Sequence, residues 1–146
     1  MPKNNQVAEI TVKYHGLCAD NPVLKSTADA LIEFFAFFDP DTIHLQEELL
    51  VMYLRGNKML GIYRHSKGSM ESTNVDQRII LATALKIAAN GIIIAHNHPT
   101  GNLIPSQQDI KVTRSLLQAC KLLNLKLLDH LIVTPDRKYC SVLLAS

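Results

Sequence analysis

The sequence predicts an α/β fold: a mixed β-sheet held between helices in a three-layer arrangement. Three observations carry that expectation. Apolar residues recur at helical spacing in three separate segments. Short alternating or β-branched runs stand between those segments, as in folds that interleave strands and helices. The run 91–95 (GIIIA) is apolar throughout, which suits a strand covered on both faces.

Residues 1–6 are polar and are expected to fray, and 8–14 (AEITVKY) alternate well enough for a short strand. From Ser26 the spacing turns helical, with Leu31, Phe34, Phe35 and Phe38 on one face and Asp39-Pro40 as the stop. The segments 48–54 and 58–64 read as two strands joined by a Gly56-Asn57 turn, and Gly68-Ser69 marks the next break. A helix is predicted over 76–90, with Ile79, Ile80, Ala84, Leu85 and Ile87 at its spacing and Asn90-Gly91 ending it. After the 91–95 strand a polar loop spans 97–105. A long helix then runs from about Ser106 to Leu123, with Val112, Leu116, Leu117, Cys120 and Leu123 facing inward. Strands are predicted over 125–133 and 138–144, with Pro135-Asp136 turning between them.

The length of 146 residues fits one domain over 1–146 with a core that needs no staples. A net charge of +2, without any block of like charges, does not argue for nucleic-acid binding. Cys18, Cys120 and Cys140 form no C-x-x-C pair and are odd in number, so neither a disulfide framework nor a thiolate metal site is expected. The N-terminus has no secretory apolar core, and no run reaches the length of a membrane span. These features predict a soluble cytoplasmic protein with no membrane partner.

The chemistry is concentrated in His96-Asn97-His98-Pro99-Thr100-Gly101-Asn102-Leu103-Ile104-Pro105-Ser106-Gln107-Gln108-Asp109. Side chains two apart on a strand share a face, so His96 and His98 would stand together at the C-terminal edge of the buried strand, where open α/β sheets bind ligands. Ser106-x-x-Asp109 is itself a helix start. The loop can return that first turn to the strand edge, where two imidazoles and a carboxylate make a zinc site with a position left for water. A hydrolase of this kind also needs a base. Glu47, Glu48 and Glu71 are the carboxylates available, and local sequence does not choose among them.

His-x-His-Pro followed by Ser-x-x-Asp resembles the JAMM (MPN/JAB) zinc metallopeptidase motif. From about Gln46 to Ser141 the chain looks like the JAB domain of bacterial RadC proteins. Gln46-Glu47, Gly68-Ser69, Ala95 through Gly101, Pro105-Ser106, Asp109-Ile110, Leu128-Asp129-His130 and Tyr139-Cys140-Ser141 carry the likeness. The resemblance implies the cytidine deaminase-like JAB/MPN fold, and one zinc per chain on His96, His98 and Asp109. It implies Glu47 as general acid/base and Ser106 as a donor to the tetrahedral oxyanion. Arg55 departs from the acidic residue usual in RadC proteins at that strand's end. Asp129-His130 fits the family pattern and reads either as structural or as a partner that orients a zinc histidine. The 1–45 segment shows no helix-hairpin-helix pattern, the DNA-binding part of full-length RadC proteins.

The leading expectation is therefore a zinc peptidase or isopeptidase acting on a peptide or isopeptide substrate. The alternative is a non-catalytic, DNA-repair-associated module that binds nucleic acid or a protein. A deaminase is disfavoured because its P-C-x-x-C ligands are missing, and a phosphoesterase because few further carboxylates are available for a second metal. Nucleic-acid binding is left open, and the unpaired edges of a mixed sheet leave room for a homodimer.

Overall fold

The computed structural model describes residues 11, 21–68 and 75–145. Apart from Thr11, the strand expected over 8–14 lies outside the described residues, as do Cys18, Ser69 and Glu71.

Helix α1 (Thr27–Phe37) starts where the Ser26 side chain accepts the Asp29 N–H. It stops as Phe38 goes extended two residues before Pro40, a geometry that suits a chain approaching proline. Strands β1 (Glu48–Arg55) and β2 (Lys58–Lys67) form the expected hairpin around Gly56, whose φ of +60° is the left-handed conformation that glycine adopts without steric cost. Helix α2 (Gln77–Lys86) is capped by Asp76, and strand β3 (Gly91–Asn97) follows. Helix α3 (Gln107–Leu122) leads to β4 (Lys126–Val133), β5 (Tyr139–Ser141) and the single turn α4 (Val142–Ala145).

The sheet order is β2-β1-β3-β4-β5, with β3 and β4 parallel and every other pair antiparallel. Side chains alternate across it. Leu49, Val51 and Tyr53 of β1 pack with Ile92 and Ile94 of β3 under α2 and α3, against Ile80, Ala84, Val112, Leu116 and Cys120. Leu50, Met52 and Leu54 pack with Ile93, Ala95, Leu131 and Val133 under α1, against Ala30, Leu31 and Phe34. The three predicted layers are thus present, with a core on each face of the sheet.

Some details differ from the expectation. Helix α2 ends at Lys86, not near residue 90. Ala88 turns left-handed at φ +55°, and the Ala89 N–H closes back to Ala84 O in a Schellman-type stop. Arg55 donates to Ile87 O at 2.7 Å and Ala88 O at 3.0 Å, so a guanidinium completes this helix end. The strand expected over 138–144 is only Tyr139–Ser141, and the chain then coils into α4. A short apolar run such as 142–144 reads equally well as strand or helix, and here packing against β4 and α3 decides. Ile79, Leu85 and Leu123 are exposed, the last because it lies at the C-cap of α3 and not within its buried face.

Candidate metal centre

Parallel β3 and β4 are linked through α3, so the C-terminal end of β3 faces the N-terminus of α3. The motif histidines sit at that strand edge. His96, on the α3 face, is fully buried, and His98 N–H bonds to Val133 O beyond the strand's end. Asp109 is held in the first turn of α3 by a reciprocal box. The Ser106 oxygen accepts the Asp109 N–H at 3.0 Å, and Asp109 Oδ2 accepts the Ser106 N–H at 2.8 Å.

These elements bring three ligand atoms within 4.8 Å of one another. His96 Nε2 lies 3.0 Å from His98 Nε2 and 3.1 Å from Asp109 Oδ1, and His98 Nε2 lies 3.3 Å from Asp109 Oδ2. The far side of His98 is fixed: its Nδ1 donates to Asn102 O at 2.7 Å, because a carbonyl can only accept. In the neutral ring Nε2 is then a bare lone pair aimed at the cluster. Burial raises the Asp109 carboxyl, but the His96 and His98 imidazoles beside it, together with the Ser106 N–H, outweigh it and hold the group well below the usual carboxylate range. Burial likewise pushes His98 down, yet the Asp109 carboxylate and the Asn102 carbonyl raise it overall. Buried imidazole nitrogens and a carboxylate converging on one point are a donor set that suits a divalent cation.

Glu47, His98, Asn102, Ile104, Ser106 and Asp109 are among the walls of a cleft of about 500 Å³ above the cluster. Glu47 and Glu48 diverge. Glu48 is buried on the α1 face, where Arg64 Nη1 meets its Oε1 at 2.5 Å, and Arg64 also donates to Phe37 O. Glu47, one residue earlier, lines the cleft. The Ser106 hydroxyl accepts from Asp109 and also lines the cleft, which leaves its own hydrogen for an acceptor there.

The carboxamide of Asn97, between the two histidines, is fully buried and saturated. Its oxygen accepts the Glu48 N–H at 2.7 Å, and its nitrogen donates to Gln46 O at 2.9 Å and Ile43 O at 2.7 Å. The Gln46 carbonyl and the Glu48 N–H belong to the two peptide units that flank the Glu47 Cα. One side chain therefore sets the backbone of Glu47 relative to the histidine strand.

Behind His96 lies His130 of β4, also fully buried, with its Nε2 2.8 Å from His96 Nδ1. Thr113 Oγ1 of α3 is 2.6 Å from His130 Nδ1. Burial holds His130 well below the ordinary histidine range. Asp129 points to the opposite face, where its Oδ1 accepts from Ser141 Oγ at 2.6 Å and from the His130 N–H.

The family model for the RadC-like JAB domain matches residues 25–145 of this chain. The chain belongs to the RadC-like JAB domain family. A UPF0758 protein of Flavobacterium johnsoniae is 40% identical over 97 residues, 66% of this chain and 42% of that protein. One from Neisseria meningitidis serogroup B is 38% identical over 125 residues, 78% of this chain and 55% of that protein. One from Aquifex aeolicus is 39% identical over 108 residues, 73% and 47% respectively. The chain spans about half the length of the curated relatives it matches.

In this RadC-like JAB domain, His96, His98 and Asp109 form a group able to hold a metal ion, as their spacing predicts. No helix among the described residues is long and apolar enough to cross a membrane. Sequence reasoning passed over Asn97 and Thr113. Thr113 stands four residues after Asp109 on a helix and so shares its face, a signal that was readable in advance.

Proposed function

We propose that this domain is a zinc-dependent amide hydrolase of the peptidase or isopeptidase type. The observation that carries the reading is the convergence of His96 Nε2, His98 Nε2 and the Asp109 carboxylate on one point at the cleft floor, with Glu47 on the wall above. Three nitrogen and oxygen ligands that leave one side open to a cleft suit catalytic zinc better than structural zinc. When bound, zinc supplies Lewis-acid polarisation of the scissile carbonyl and acidifies water.

The remaining roles fall to the chain's own groups. Glu47 takes a proton at its carboxylate and returns it to the leaving nitrogen, a task for which Glu48 is unsuited because it is buried on the opposite face against Arg64. The Ser106 hydroxyl donates to the oxygen that gains charge as the carbonyl becomes tetrahedral. Ile104 and Pro105 give the cleft an apolar lip beside these polar groups, which fits an extended peptide or isopeptide segment.

The test measures zinc content and hydrolysis of a fluorogenic peptide library together. Wild type should hold about one zinc and cleave, His96→Ala should lose both, and Glu47→Gln should keep the zinc but lose most of the rate. Glu48→Gln should cleave at close to the wild-type rate. A wild type without zinc, or full activity in Glu47→Gln, would overturn the proposal.

A further inference from the structure

We infer that Thr113 and His130 are positioning residues that impose the Nδ1–H tautomer on His96 through a directed chain of hydrogen bonds, and that the chain begins at the main-chain carbonyl of another ligand, Asp109. The inference rests on the metal reading of the site and goes beyond it, because neither residue touches the cluster centre.

The direction follows from the partners. The Thr113 hydroxyl donates to Asp109 O at 2.9 Å, and a carbonyl can only accept. A hydroxyl has a single hydrogen, so at 2.6 Å Thr113 Oγ1 must accept from His130 Nδ1. His130 is 0% exposed and its two ring nitrogens meet Thr113 and His96, so no carboxylate pairs with the ring to offset a buried charge; the neutral ring then has its proton on Nδ1 and a lone pair on Nε2. At 2.8 Å that lone pair can only accept, so the proton between the rings belongs to His96 Nδ1. His96 Nε2 is thereby bare, 3.1 Å from Asp109 Oδ1. His98 reaches the same tautomer by a shorter route, through Asn102 O. Each histidine ligand is thus referred to a carbonyl, one directly and one through two intermediate side chains.

The reverse chain has a definite cost. If Thr113 donated to His130, the Asp109 carbonyl would lose the hydroxyl, His130 would carry its proton on Nε2, and His96 would be left with a hydrogen on the nitrogen that faces the cluster. No cation could then be bound at that nitrogen. Thr113, His130 and the strand pairing of β3 with β4 therefore act on metal affinity, not only on packing.

The test combines zinc affinity, by chelator competition, with imidazole nitrogen NMR of the zinc-loaded protein. His130 should appear neutral with its proton on Nδ1. Thr113→Val, nearly the same shape, leaves His130 Nδ1 without an acceptor and should weaken zinc binding about tenfold or more, within the range known for residues that orient ligands. Thr113→Ser should restore affinity to within about threefold, and His130→Leu should weaken it at least as much as Thr113→Val. A purely structural role predicts lower stability with unchanged affinity in Thr113→Val. A wild type that binds zinc while His130 carries its proton on Nε2, or a Thr113→Val protein that binds as tightly as wild type, overturns the chain alone. Absence of zinc binding by wild type overturns the metal reading and this inference with it.

Discussion

Replacing Asn97 by aspartate keeps the side-chain shape and changes only its hydrogen bonding. The acceptor for the Glu48 N–H remains, while the two donors to Ile43 O and Gln46 O are lost. Each of those bonds has a net worth of about 0.5–1.5 kcal/mol, and a buried acceptor left facing another acceptor adds about 1 kcal/mol or more. Because Gln46 is an exposed residue, water can reach part of this deficit, so the lower end of each range applies. The carboxyl itself would occupy a position that is 0% exposed. Together these give a loss of about 2–4 kcal/mol, a large share of the ~5–15 kcal/mol that holds a domain folded. The loss carries a pH signature. When protonated, the introduced carboxyl can donate to one carbonyl, so its folded-state pKa is raised, and the deficit should shrink in acid and grow toward neutrality. Urea unfolding of Asn97→Asp beside wild type at pH 5 and pH 7.5 measures both effects, with an unchanged m-value showing that the same surface is exposed. A deficit below about 1 kcal/mol that does not vary with pH would refute the claim that this amide clamps the Glu47 segment.

Arg55→Ala should lower the melting temperature, because two donors to the end of α2 disappear; about 1 kcal/mol is expected at this exposed site. Ala88→Gly should raise the melting temperature, with a stability gain of about 0.5–1 kcal/mol, since glycine adopts the left-handed φ of +55° without a Cβ clash. Both are read by thermal unfolding, and a destabilised Ala88→Gly would contradict the strain argument. Zinc affinity should depend on pH through His98. Its folded-state pKa is raised, so the proton stabilises the metal-free protein fully below about 6.5, and that contribution is lost as pH rises through the raised value. The cation must displace this proton, so apparent affinity should fall about tenfold per pH unit once pH drops below the folded-state pKa of His98. Chelator competition across this range checks it, and a flat profile would count against His98 as a ligand.

Much of this architecture was legible in the residues. The apolar run at β3 marked the central strand, Ser106-x-x-Asp109 marked a helix start, and the spacing of His96, His98 and Asp109 marked a group able to hold a metal ion. What escaped depends on register between distant segments. Glu47 and Glu48 are adjacent and chemically alike, and they separate only because Leu49 pairs with His96. That pairing puts odd-numbered residues of the β1 segment on the histidine face, so Glu47 faces the cleft and Glu48 faces α1. Asn97 escaped for the same reason, since its value lies in peptide groups about fifty positions earlier in the chain. The early end of α2 gave no warning because alanine is a strong helix former, and the carbonyls left at the stop are satisfied by Arg55 from another strand. The final strand was overextended because valine and leucine over 142–144 satisfy either period.

The reciprocal box between Ser106 and Asp109 bears on which residues position 109 can tolerate over evolutionary time. Glutamate satisfies a box of this kind well, but its carboxylate sits one methylene farther out and overshoots the point where His96 and His98 meet. Asparagine can still accept the Ser106 N–H, but it brings no charge to a group able to hold a cation. Alanine gives up both functions. Two unrelated demands, one for starting a helix and one for completing a group able to hold a cation, thus converge on a single short acid, and a chain that never held the cation would still need an acceptor there.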